Sequence, residues 1–173
     1  MKLADQAPAF SLKAVDGKTR ALADYSQINL LVVVFSCNHC PYVKAYEDRL
    51  IALQEDYKDR VQVVAINSND PVGYPDDDFA HMQARAKEKG FNFPYLCDDT
   101  QAAARAYGAT HTPHLFVFDA ARKLAYTGKI DDNWQDAGAA KQHFLRDALD
   151  DILAGRAPRL AETHAIGCTI KWK

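Results

Sequence analysis

A chain of 173 residues that is 48% hydrophobic has room for one well-packed core and is short for two, so residues 1–173 are read as a single domain. With 21 Lys and Arg against 23 Asp and Glu, the net charge is −2 and no basic stripe is present. That excludes the usual electrostatic footprint of a nucleic-acid or anionic-membrane binder. Four cysteines are too few for a disulfide scaffold at this length, so any cysteine chemistry is expected to be catalytic or metal-binding.

The amino-terminal stretch MKLADQAPAFSLKAVDGKTR is broken by Asp5, Gln6 and Pro8. Neither a signal peptide nor a membrane anchor is expected from it, and the compartment is read as cytoplasmic. Residues 28–35, INLLVVVF, form a continuous Val-rich apolar run, the pattern of a strand buried on both faces. From Pro41 the period changes. Val43, Tyr46, Leu50, Leu53 and Tyr57 recur at helical spacing, with Lys44, Glu47, Asp48, Glu55 and Lys58 on the other face. Residues 61–67, VQVVAIN, predict a second buried strand, and residues 76–90 a helix with acids in its first turn and Gly90 at its end. A short Ala-rich helix follows near 100–107. Two strands, HLFVFD and KLAYTGKID, then flank a turn at 120–122. The last helix is predicted over 137–154 from the stripe Phe144, Leu145, Ala148, Leu149, Ile152 and Leu153, with Gly155 capping it. Residues 156–173 read as an irregular tail.

Cys37-Asn38-His39-Cys40 lies where the first apolar strand meets its helix. A sulfur at that junction faces unpaired backbone N–H groups and the positive end of the helix dipole, which favours thiolate. The expectation is that Cys37 attacks as thiolate and that Cys40, one turn along, resolves the mixed disulfide. His39 beside them lowers the Cys37 pKa, and Pro41 suits the first helical position because its missing N–H costs no helical bond. Two other readings accompany this one: a pair of reduced core thiols, and a metal site in which Cys37 and Cys40 join His111 or His114 as soft ligands for copper or part of a zinc site. No second C-x-x-C supports a four-cysteine zinc site. Cys97 and Cys168 are read as packing thiols, although the tail carrying Cys168 is able to fold back toward the site. Tyr46 and Tyr57 belong to the core, and Asp131 to Trp134 to a polar loop near the site.

The strand-CxxC-helix segment, together with THTPHLFVFD at 110–119, resembles the thioredoxin superfamily. The segment APAFSL and the long separation of Cys37 from Pro113 resemble its AhpC/TSA, or redoxin, branch. CNHCPYVKAYEDRL and AIGCTIKWK are similar to bacterial thioredoxin-like redoxins within that branch. The resemblance implies an α/β thioredoxin-like fold, a central mixed β-sheet flanked by helices with a redoxin-type amino-terminal extension and insertion. It further implies a cis-proline at Thr112-Pro113 facing the cysteines, where backbone groups bind a partner strand. Thiol–disulfide exchange without any cofactor, on a protein or small-molecule substrate, is the expected activity. Two departures bear on it. Ser36 stands where ordinary thioredoxin has tryptophan, and residues 28–35 lack that protein's buried acid. In the Thr-x-x-Cys motif of peroxiredoxins, Cys40 would occupy the peroxidatic position and Cys37 the threonine position. Thiol peroxidase is therefore the alternative activity, and copper handling the alternative from a different class.

Overall fold

The computed structural model describes residues 1–173. Its centre is β3 (Leu30–Ser36), every residue of which is buried. The reason is visible in the alternation of its side chains. Leu30, Val32 and Val34 point into one core cluster with Tyr46, Leu50, Leu53, Met82, Leu145 and Leu149, whereas Leu31, Val33 and Phe35 enter a second with Ala104, Tyr107, Phe116 and Ile170. A strand covered on both faces needs apolar residues at every position, which is what the unbroken run supplies.

The sheet has seven strands in the order β2-β1-β5-β4-β3-β7-β8. β4 (Val61–Asn67) runs parallel to β3, and β5 (Tyr95–Cys97) parallel to β4. β7 (His114–Phe118) lies antiparallel on the other side of β3 and is followed by β8 (Leu124–Gly128), so the expected hairpin is present. A hairpin of β1 (Ser11–Ala14) and β2 (Thr19–Ala21) extends the far edge. Four helices cover the faces: α1 (Pro41–Tyr57), α2 (Phe79–Lys89), α3 (Ala102–Tyr107) and α4 (Phe144–Leu153). Side chains of α1, α2 and α4 enter the first cluster; α3 and the amino-terminal segment enter the second. This mixed sheet between helices agrees with the fold class expected from the sequence.

Three boundaries differ from expectation. α2 starts at Phe79 because Asp78 caps it, its carboxylate accepting from the His81 N–H at 2.8 Å; the two acids before it form a separate 3-10 turn, Pro75–Asp77. The last helix is shorter than 137–154. Asp136 caps a single 3-10 turn, Ala137–Ala139, and α4 begins only at Phe144. Gly155 does follow it with φ +78, the left-handed conformation typical after a helix end.

The third difference lies in the tail, which is partly regular. Cys168 and Thr169 form β9, paired antiparallel with β6 (His111–Thr112) in the register Thr112 to Cys168. Glu162 bridges to Thr127, Ile170 is buried, and Lys171 donates its N–H to Asn69 Oδ1 at 2.9 Å. The peptide between Thr112 and Pro113 is cis. No helix is long and apolar enough to cross a membrane.

His114, at the start of β7, is half-buried, and desolvation first, then the charge of His111, lowers its pKa to about 4. The unfolded chain therefore takes up this proton more readily than the folded one. The corresponding stability is complete above the ordinary value of 6.5 and is lost as pH falls toward 4. A His114→Gln variant is expected to show a flatter dependence of unfolding free energy on pH across that window, measured by urea denaturation. Parallel curves for the two proteins would contradict the assignment.

Candidate active site

β3 ends at Ser36, and α1 begins at Pro41 with Cys40 as its N-cap, so the four residues Cys37 to Cys40 make the turn between them. The turn is held by polar groups from two other segments. The Asn38 N–H donates to Asp77 Oδ1 at 2.7 Å, its side-chain amide donates to the Asp76 carbonyl at 2.9 Å, and its Oδ1 accepts from the Tyr95 hydroxyl at 2.8 Å. Asp77 is itself buried and also accepts from Asn69 Nδ2 at 2.9 Å and from Asn67 Nδ2 at 3.3 Å. A buried carboxylate with this many donors is satisfied, which explains how an acid is tolerated there.

Thr112 faces the cysteines as expected for the segment before the cis-proline. Cys37 Sγ lies 3.4 Å from Thr112 Oγ1, and Cys40 Sγ lies 3.3 Å from the Thr112 carbonyl oxygen. The backbone edge at Thr112 is not open, however. β9 of the same chain is paired with it, so the expected docking of a partner strand on Thr112-Pro113 is blocked by the tail. The close approach depends on Gly167, since a Cβ there would fall 2.1 Å from the Thr112 carbonyl oxygen. Beside it, Cys168 Sγ stands 2.8 Å from Cys40 Sγ. Cys168 is thus a member of the site and not only a packing thiol.

The sulfurs differ in their hold on a proton. Cys37 and Cys40 interact directly, and the Cys37 thiol is the first cause that drives the Cys40 pKa far below the ordinary thiol value, against the penalty of burial. The Cys168 thiol and the N–H groups of Val43 and Cys168 add to the effect. Cys37 moves up instead, through its pairing with the Cys40 thiolate, burial and the charge of Asp77. Two facing thiols that share a proton ionise as a pair, the first easily and the second with difficulty. The direction is down at Cys40 and up at Cys37, the reverse of the order expected from the sequence. The helix starts one residue after Cys40, which places that residue at the positive end of the α1 dipole. Burial, followed by the Cys40 sulfur, pushes Cys168 up to about 11.

His39 was expected to meet Cys37 directly. Its Nδ1 instead lies 2.5 Å from Asp77 Oδ2, at an angle too poor for a hydrogen bond, and its ring stacks on Tyr74 with centroids 5.8 Å apart. Cys37 Sγ, a His39 ring nitrogen and an Asp77 oxygen do lie within 4.8 Å of one another, a mixed S, N, O set of the kind that zinc accepts. His111 and His114 do not join the cysteines in this way. His111 Nδ1 is 2.8 Å from Thr110 Oγ1, and His114 Nε2 is 3.3 Å from Thr127 Oγ1. The loop from Asp131 acts at one remove: Trp134 packs on Tyr42, which in turn covers the cysteine pair. Tyr46 and Tyr57 are core residues, and Cys97 is half-buried at the end of β5.

The comparisons with known proteins agree with this architecture. Over 99% of this chain and 93% of the other, the protein is 42% identical to an uncharacterized conserved protein from Geobacillus kaustophilus, with a TM-score of 0.94. A hypothetical protein from Sinorhizobium meliloti 1021 is 36% identical over 100% of this chain and 96% of its own, with a TM-score of 0.93. The thioredoxin domain of a thiol-disulfide oxidoreductase from Bacteroides vulgatus is 16% identical over 72% of this chain and 86% of its own, with a TM-score of 0.62, a likeness that speaks to the thioredoxin-like fold alone. None of the curated proteins matches. Residues 3–127 match the family described as AhpC/TSA, and the chain belongs to that family.

Proposed function

We propose that the protein is a thiol–disulfide oxidoreductase that cycles Cys37 and Cys40 between dithiol and disulfide and uses no organic cofactor. The observation that carries this reading is that both sulfurs of one strand-to-helix turn meet Thr112, the residue before the cis-proline, Cys37 Sγ 3.4 Å from its Oγ1 and Cys40 Sγ 3.3 Å from its carbonyl oxygen. Going to the disulfide, the two thiols lose two protons and two electrons to a partner disulfide, which leaves as two thiols; the return reverses this. Cys40 supplies the nucleophile and Cys37 the thiol that closes the bond. Thr112 Oγ1, 3.4 Å from Cys37 Sγ, is placed to donate to that sulfur whenever it becomes a thiolate.

Asp77 tunes the pair, because its charge disfavours ionisation of Cys37. His39 reaches that carboxylate, Nδ1 to Oδ2 2.5 Å, and serves as a positioning group for it.

A second reading, thiol peroxidase, is favoured by the low pKa of Cys40 at the cap of α1. In that reaction the Cys40 thiolate takes one oxygen from hydrogen peroxide, giving sulfenic acid and hydroxide. Comparing the rates of peroxide and disulfide consumption separates the two activities.

Mild oxidation of the folded protein is expected to join Cys37 to Cys40. Differential alkylation followed by mass spectrometry checks it, and two cysteines that both remain alkylatable would overturn the redox pair. Asp77→Asn should lower the Cys37 pKa, as followed by the ultraviolet absorbance of thiolate. Equal titrations for the variant and wild type would remove Asp77 from the chemistry.

A further inference from the structure

We propose that Cys168 is a third redox cysteine, which takes the disulfide over from the Cys37–Cys40 pair and offers it to external thiols. The proposal rests on the redox reading above and adds the route by which a buried pair is reached. Cys37 is 2% exposed and Cys40 is fully buried, so neither sulfur is open to a macromolecular partner, whereas Cys168 is only partly buried. The separation of 2.8 Å between Cys40 and Cys168 is closer than unbonded sulfurs normally sit and longer than the roughly 2.05 Å of a disulfide bond. A small movement closes it.

The tail is built to hold this sulfur in place. On one side of Cys168, Gly167 lies flat against the Thr112 carbonyl, where any Cβ would collide. On the other side Ile170 is sunk in the core, and the Lys171 carbonyl accepts from the Asp70 N–H at 2.8 Å. Between these anchors, the β6–β9 pairing places Cys168 across from Thr112, the residue that contacts both other sulfurs. A packing cysteine needs no such arrangement, and Cys97, half-buried at the end of β5, lacks it.

The exchange balances internally. The Cys168 thiolate attacks Cys40 Sγ of the Cys37–Cys40 disulfide. The Cys40–Cys168 bond forms as the Cys37–Cys40 bond breaks, and the electron pair leaves on Cys37. Cys37 takes up a proton in place of the one Cys168 released. One disulfide and one thiol are present before and after, so no oxidant or reductant is consumed. An external dithiol then attacks the accessible Cys168 sulfur and expels Cys40, a good leaving group because its thiolate is stabilised. The second thiol of that reductant releases Cys168.

The test uses the full chain. Trypsin places Cys37 and Cys40 together on residues 21–44, Cys168 on 160–171 and Cys97 on 90–105, so the Cys37–Cys40 bond and a link to Cys168 differ in mass, and Cys37→Ser assigns the latter to Cys40. In Cys37→Ser, mild oxidation should join peptide 21–44 to 160–171 within one monomer and leave Cys97 alkylated. Adding Gly167→Ala, which lifts the tail without touching a sulfur, should reduce that linkage. In Cys168→Ser, reduction of the Cys37–Cys40 disulfide by a protein dithiol should slow about tenfold or more. A folded Cys37→Ser protein with no intramolecular link, or an unchanged rate in Cys168→Ser, overturns the proposal. A wild type that links Cys40 to Cys168 and never Cys37 to Cys40 overturns the parent reading and makes the outer pair the redox couple.

Discussion

The site depends on one register. β3 is paired with β7 so that Phe35 lies opposite His114, and β3 with β4 so that Ser36 lies opposite Asn67. With the end of β3 fixed against the start of β7, the turn at Cys37 must face Thr112 and Pro113. The other side of the same turn must face the end of β4 and the loop that follows it, which contribute Asn67, Asn69 and Asp77. A slip of one residue in either pairing would reverse the faces of a strand buried on both sides and separate these groups. The chemistry is thus positioned by the most buried part of the sheet, where Leu31 to Phe35 have no exposure.

Around this turn, burial and donation act against each other. Burying a thiolate is costly unless hydrogen-bond donors face it. Donation from Cys37 first, then from Cys168 and the first turn of α1, lowers the Cys40 pKa, whereas the pairing with Cys40, burial and the charge of Asp77 raise that of Cys37. The asymmetry follows mainly from the pairing of the two thiols. The tail completes the enclosure, since β9 fills the edge at Thr112 and closes the groove over the sulfurs. The same segment shields the thiolate and supplies a neighbouring thiol.

Much of the fold was legible in local pattern. The unbroken run at 28–35, the helical period from Val43 to Tyr57 and the hairpin near 120–122 each carry one dominant periodicity, and each has its counterpart in the structure. The three-residue strands β2 and β5 carry too little sequence to show a period, and β1 is hardly longer. The start of α4 was misplaced because its apolar stripe says where a helix face lies and not where the backbone first turns. At the site, Cys37, Cys40, His39, Thr112 and Pro113 were marked by spacing and resemblance, and the structure gathers them. Asp77 was missed because it stands between two other aspartates, and only the fold distinguishes the buried one. Cys168 lies 128 residues from Cys40, and no local signal connects them. The flat approach of Gly167 to Thr112 is the nearest thing to a trace, a glycine whose need appears only once the two segments meet.

The proton of the cysteine pair is the most direct object to measure. Site-resolved carbon-13 Cβ shifts of the reduced protein, followed across pH by nuclear magnetic resonance, report each sulfur separately. The account predicts that the Cys40 signal moves first, on the acid side of the ordinary thiol range, while Cys37 moves only in alkali. A Cys37 signal that titrates before Cys40 would contradict it.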